Sequence, residues 1–222
     1  MLVWFSRTVD LYAILDRWRG ERSNYHPEGA AEGACYVDNF DVALGTSEDR
    51  QLYDKAVQRL LTYRYYPDSV LTAVADFARD GRLPQPGDHI VQRIKVIPYI
   101  LDAITMNIVK SAWREPDSSG FTIVTSEHHY EVGEWTVAID RNSNGEVALV
   151  VRIDSHPSNQ LRFLARWFAR ALQLRAHRLA RRDFAQAVLE HVSSTAAGDG
   201  TSHEGIGVPS LRSHVRARKA RP

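Results

Sequence analysis

The chain has 222 residues, of which 44% are hydrophobic and 25% charged. That suits one folded domain with extensions and is too apolar for a largely disordered chain. The formal net charge is +1 at pH 7, so no overall field draws the chain to nucleic acid or acidic lipid. Cys35 is the single cysteine, which excludes an internal disulfide, and no basic residue close in sequence favours its thiolate.

The N-terminal stretch MLVWFSRTVDLYAIL is apolar, but it lacks a basic leader and is broken by Arg7 and Asp10, so it does not read as a signal peptide. No run reaches the roughly 18 uncharged apolar residues that a membrane span needs. The expectation is a soluble, cytoplasmic protein.

Residues 8–18 predict a helix, with Leu11, Ile14, Leu15 and Trp18 at helical spacing. A loop rich in glycine follows, then a strand over 35–45 that ends at Gly45. Thr46, Ser47, Glu48 and Asp49 supply a cap and acidic first-turn residues for a helix over 47–62. Strands are expected at 69–77 and 88–97, separated by the turn RLPQPGD. In the second, Ile90, Gln92 and Ile94 alternate with Val91, Arg93 and Lys95, a mixed phase. Residues 99–113 read as one bent strand or two, and 120–126 and 134–140 as further strands.

Asn144-Gly145 can take the positive φ angles of a type I′ turn, so 134–140 and 146–154 should pair as a hairpin. On it Trp135, Val137 and Ile139 share one face, as do Val147, Leu149 and Val151. The period then changes to helical over about 159–192, with Ser158 or Asn159 as cap and Leu164, Trp167, Phe168 and Leu172 in an apolar stripe. From Ser193 the composition turns to Ser, Thr, Ala, Gly and Pro, and the chain closes with RSHVRARKARP. That end reads as a disordered basic tail.

This order implies an α+β fold, a curved antiparallel sheet wrapped around the long C-terminal helix. An N-terminal helix and loop would span 1–34, the main domain 35–192 and the tail 193–222. A hollow between sheet and helix is the expected binding space, above ~300 Å³ if it serves a ligand.

Particular residues also carry a family resemblance. Gly120-Phe121 followed by Thr125, then His129, Glu131, Gly133 and Glu134, resembles the "GF-x-x-GT" and "GHP-x-xGE" pieces of the domain-of-unknown-function family numbered nineteen-ninety. Asn24 to Ala30, NYHPEGA, is similar to its "NYPEVGAT", and Ser155-His156-Pro157 to its "S-R-P". The stretch FLARWFARALQLRAHRLARRDF resembles its Arg-rich close. Here His128 and Tyr130 replace the glycine and proline around His129, Val124 stands where glycine is usual, and His156 replaces arginine. The resemblance covers about residues 24–190. It implies the START-like, helix-grip fold and a hydrophobic ligand held between sheet and helix.

The polar residues around the third piece admit two readings. His129 with Glu131 or Glu134 can form an acid/base pair beside an apolar cavity. Alternatively, Glu134 pairs with Arg152 across the hairpin and His129 caps a turn. Adjacent His128 and His129 point to opposite faces of a strand, so no metal site is expected. Candidate ligand contacts are Tyr63, Trp113, Phe121, Trp135, Arg152 and Trp167. Trp113 and Trp167 also suit the core.

There is no G-x-S-x-G elbow, P-loop or dinucleotide glycine fingerprint, and no cofactor is expected. The leading expectation is binding of a small or medium hydrophobic molecule, with proton transfer to it left open. One alternative is a cyclase, dehydratase or isomerase of secondary metabolism. Another is a non-catalytic interaction protein that uses Arg162, Arg166 and Arg170 with the basic tail, although a nucleic-acid partner is not expected. The oligomeric state is unassigned.

Overall fold

The computed structural model describes residues 2–5, 9–26, 36–46, 50–97, 101–158 and 163–198. The chain runs β1 (Leu2–Phe5), α1 (Leu11–Trp18), β2 (Tyr36–Thr46), α2 (Gln51–Leu61), β3 (Leu71–Ala75) and a single turn α3 (Asp76–Arg79). Then come β4 (His89–Ile97), β5 (Leu101–Arg114), β6 (Ser118–Thr125), β7 (Glu131–Arg141), β8 (Glu146–Pro157) and α4 (Phe163–Gly198). The tail beyond residue 198, with its basic cluster, lies outside the described residues, and the helix runs past the expected end at 192.

All described strand pairs are antiparallel, in the order β2-β8-β7-β6-β5-β4-β3. β5 is one strand, with a register shift between Val109 and Ser111. β1 was not expected from sequence. It pairs with residues 101–104 of β5, beyond the stretch from Asn107 onward that β6 covers. α1 begins at Leu11 because the Asp10 side chain accepts the N–H groups of Tyr12 and Ala13.

The β7–β8 hairpin forms as expected, but its turn is not type I′. Gly145 has φ of +77°, whereas Asn144 is not among the described residues with positive φ. Gly145 N–H donates to the Asn142 carbonyl, and Asn142 Oδ1 accepts from the backbone of Asn144 and Glu146. The asparagine side chain therefore organises a longer loop, and only the glycine needs the left-handed region.

Period-two alternation sets which side chains face α4. Val147, Leu149, Val151 and Ile153 of β8, Val137 and Ile139 of β7, and Phe121 and Ile123 of β6 join one core. α2 adds Leu52, Ala56, Val57 and Leu60, and α4 adds Ala180, Phe184, Ala185 and Val188. Each large side chain fully buried here contributes roughly 1.5–3 kcal/mol. The opposite face of the sheet is covered by α1, whose Ile14, Leu15 and Trp18 pack on Val91, Ile104 and Met106. The mixed phase of β4 follows, since both of its faces are buried. An antiparallel sheet that grips a long C-terminal helix is the helix-grip arrangement expected from the element order.

Candidate functional site

A cavity lies between α4 and the gripping face of the sheet, with a free volume of about 60 Å³. That is room for a few water molecules and well below the ~300 Å³ expected of a ligand pocket. The reason is aromatic filling. Tyr63, Tyr65 and Tyr66 project from the segment after α2, Tyr130 from the β6–β7 turn, and Phe121 and Trp135 from the sheet. Burial pushes the phenol pKa of each of these tyrosines up. Tyr63 has φ of +59°, a left-handed conformation that is strained for a tyrosine, and its hydroxyl accepts from Gln92 Nε2. Tyr65 Oη and Asn107 Oδ1, also on the wall, are buried without a hydrogen-bond partner.

One end of the cavity is polar. Here His129, Glu131, Gln173 and His177 are exposed by 2%, 3%, 3% and 5%. Asp38 of β2 takes Arg170 of α4 in a bidentate pair at 2.6 and 2.7 Å. Arg170 Nη1 also donates to Gln173 Oε1 at 2.6 Å, and Gln173 Nε2 donates to Glu131 Oε2 at 3.1 Å. Burial pushes the Glu131 carboxyl up to about 8; Arg170 opposes that shift and Asp38 adds to it. At neutral pH it is therefore mostly a protonated acid. Burial pushes His129 down to about 3 and His177 down to about 4. His129 Nδ1 accepts the Glu131 N–H at 3.0 Å, which leaves the ring proton on Nε2.

Asn24, Thr125, His129, Glu131 and Gly133, among the residues that carry the family resemblance, meet at this end. Thr125 Oγ1 donates to Asn24 Oδ1 at 2.5 Å and accepts the Gly133 N–H at 3.0 Å. The Asn24 N–H donates to the Thr125 carbonyl, and the His129 N–H to the Ser126 carbonyl. A Cβ on Gly133 would come within 2.5 Å of Ser155 Cβ, so the close approach of β7 and β8 requires glycine there. These contacts fix the turn that delivers His129 and Glu131 inward.

Of the residues expected at the site, the structure brings Tyr63, Phe121, Trp135, His129 and Glu131 to the cavity. Glu134 does not join them. It lies three residues from Glu131 on one strand, hence on the other face, and pairs with Lys110. Arg152 also points away, to Asp41 at 2.6 Å, so the alternative pair of Glu134 with Arg152 does not form. The register sets Glu134 opposite Asp154 and Arg152 opposite Thr136. Trp113 does not line the cavity; its Nε1 donates to Ser118 Oγ at 3.0 Å. The Trp167 side chain lies outside the described part, as do those of Arg162 and Arg166. Arg170 is not on a solvated stripe, since it pairs with Asp38 and lies over the Tyr36 ring.

Asp38, Gln92, Asn107, Tyr130, Gln173 and His177 were not anticipated as site residues. Gln173 and His177 could have been found, because they continue the spacing of Ala180, Phe184 and Val188 on the buried face of α4. Among the described residues no group of three His, Cys, Asp or Glu can hold a metal ion, and no helix is long and apolar enough to cross a membrane.

The model of the family described as "Domain of unknown function (DUF1990)" matches residues 24–183, and the chain belongs to that family. No curated protein matches it. Similar solved structures include human STARD10, at 9% identity and TM-score 0.49 over 87% of this chain and 85% of that one. Ara h 8.0201 is similar at 9% identity and TM-score 0.43, over 71% of this chain and 99% of that one. The di-domain ARO/CYC StfQ from the steffimycin biosynthetic pathway is similar at 14% identity and TM-score 0.42, over 71% of this chain and 52% of that one.

Proposed function

We propose that this member of the DUF1990 family binds a small, mostly apolar molecule between α4 and the gripping face of the sheet. One observation carries the reading: Glu131 is a buried carboxyl on an aromatic-walled cavity, and the acid form dominates at neutral pH. Burying such a group costs stability unless it is fully paired, and perturbed acids of this kind cluster at functional sites. The unpartnered Tyr65 Oη and Asn107 Oδ1 on the same wall support the reading, because buried polar atoms rarely go without a partner.

The small free volume sets the ligand's scale. A single-ring molecule enters by displacing one of the tyrosine side chains, and the strained backbone at Tyr63 marks the segment that gives way. The test is native mass spectrometry of protein purified from its own host. The wild type should carry a small-molecule adduct that Ala176→Trp, which fills the cavity from α4, removes. Identical spectra for the two proteins, with and without added one-ring apolar compounds, refute the reading.

A catalytic version of the same site is favoured by the position of the Glu131 pKa near neutrality, which suits a general acid. Glu131 would protonate the ligand in an isomerisation or dehydration. His129 would orient the turn through its bond to the Glu131 N–H, since a ring held neutral down to about pH 3 is a weak base.

A further inference from the structure

We infer that the cavity selects an uncharged ligand whose polar end is a hydrogen-bond acceptor of the ketone or ester kind, docked on the Glu131 carboxyl, with Gln173 and Arg170 as positioning residues. This rests on the binding reading above and gives the ligand its chemical class.

The argument starts from donor and acceptor bookkeeping. Arg170 Nη1 can only donate, so Gln173 must turn its oxygen towards it, at 2.6 Å. The Gln173 NH₂ is thereby forced towards Glu131 Oε2, at 3.1 Å. A flipped amide would set donor against donor at Arg170. Glu131 Oε2 is thus held as an acceptor, and the proton of the acid form falls to Oε1. Oε1 is the atom that can donate to a ligand, so its complement is an acceptor.

Charge excludes the other classes. Among the described residues no Lys or Arg lines the cavity, so an anionic ligand finds no counter-ion among them. The cation that acts on Glu131, Arg170, is committed to Asp38 and Gln173 and covers the Tyr36 ring. A cationic ligand would need Glu131 ionised. The charged and titratable groups facing Glu131 are Arg170 and His177 of α4, Asp38 of β2, His129 and Tyr130 of the turn, and Tyr66 after α2. Burial drives the two histidines far below neutrality and the tyrosines upward, away from the range around pH 8 in which Glu131 changes charge.

The test uses the full chain and four one-ring probes of matched shape: acetophenone, ethylbenzene, benzoate and benzylamine, followed by saturation-transfer NMR. At about pH 6.5 acetophenone should bind about tenfold tighter than ethylbenzene, the value of one good hydrogen bond, with benzoate and benzylamine weaker still. Near pH 9 that preference should shrink and benzylamine should gain. Gln173→Met should reduce the ratio of acetophenone to ethylbenzene affinity, a ratio that a merely structural role for Gln173 would not move. Glu131→Leu should abolish it. Equal binding of acetophenone and ethylbenzene to the wild type, or tighter binding of benzoate, overturns the inference and leaves hydrophobic binding standing. If none of the four probes binds, both readings fall together.

Discussion

The two faces of the sheet solve the same burial problem with different chemistry. On the outer face α1 sets Ile14, Leu15 and Trp18 against Val91, Ile104 and Met106, all apolar. On the gripping face an apolar core of similar kind is interrupted by His129, Glu131, Gln173 and His177. Adjacent histidines make the contrast sharp. His128 lies flat on Trp18, with ring centres 4.1 Å apart, and reaches Glu21 at 3.3 Å. His129 turns into the cavity instead. Where the outer face buries a charge it pairs it directly: Asp102, exposed by 3%, takes Arg93 at 2.7 Å. The polar patch of the gripping face differs in opening on a cavity, which is where a site would stand.

If both faces are integral to folding, truncation on either should cost heavily. Phe184→Ala on the gripping side and Trp18→Ala on the outer side each remove a ring that is almost fully buried. Each should destabilise by about 3–5 kcal/mol in urea unfolding. A loss under ~1 kcal/mol for Trp18→Ala would mean that α1 is an accessory and that the outer face is not a second core.

The next prediction sharpens the contrast through pH. Glu131 holds its proton up to about 8 in the folded chain, against 4.5 as its ordinary value. Between those limits the folded state binds more protons, so stability falls as pH rises from 4.5 and the loss is complete above 8. The buried histidines act in the opposite sense. Their folded values, about 3 for His129 and about 4 for His177, lie below the ordinary 6.5. Stability is thus also lost as pH falls from 6.5 towards those values. Glu131→Gln should remove the alkaline loss. Between about pH 5 and pH 9 its stability relative to wild type should improve by a few kcal/mol, on the order of the full shift. Parallel curves for the two proteins would show that Glu131 is not held as an acid.

Much of the gripping face was legible in the sequence. Alternation assigned Val147, Leu149 and Val151, and likewise Trp135, Val137 and Ile139, because each strand pattern had one dominant period. β1 was not legible, since four apolar residues are too few to show alternation. β4 was ambiguous for a physical reason, as α1 buries the face that would otherwise be polar. A strand that begins at Glu134 leaves the facing of Glu131 undefined. With the strand starting at Glu131, parity separates the two carboxyls. The Asp38–Arg170 pair joins residues 132 apart in the chain, and no local pattern signals it. The cavity volume depends on the side-chain placement of Tyr63, Tyr65 and Tyr66, which composition does not encode.

The smallest expected effect tests that corrected parity directly. Glu134 pairs with Lys110 on the outer face, where both side chains meet solvent, and Arg152 pairs with Asp41 in similar exposure. Exposed ion pairs gain little, because water screens them and long side chains lose freedom on pairing. Glu134→Gln and Arg152→Ala should each change stability by no more than about 1 kcal/mol and leave probe binding unaltered. Glu134→Gln and Glu131→Gln make the same chemical change three residues apart, so their difference isolates which face each carboxyl occupies. Should Glu134→Gln reproduce the pH effect expected of Glu131→Gln, the strand would have to run in the other register, with Glu134 turned inward.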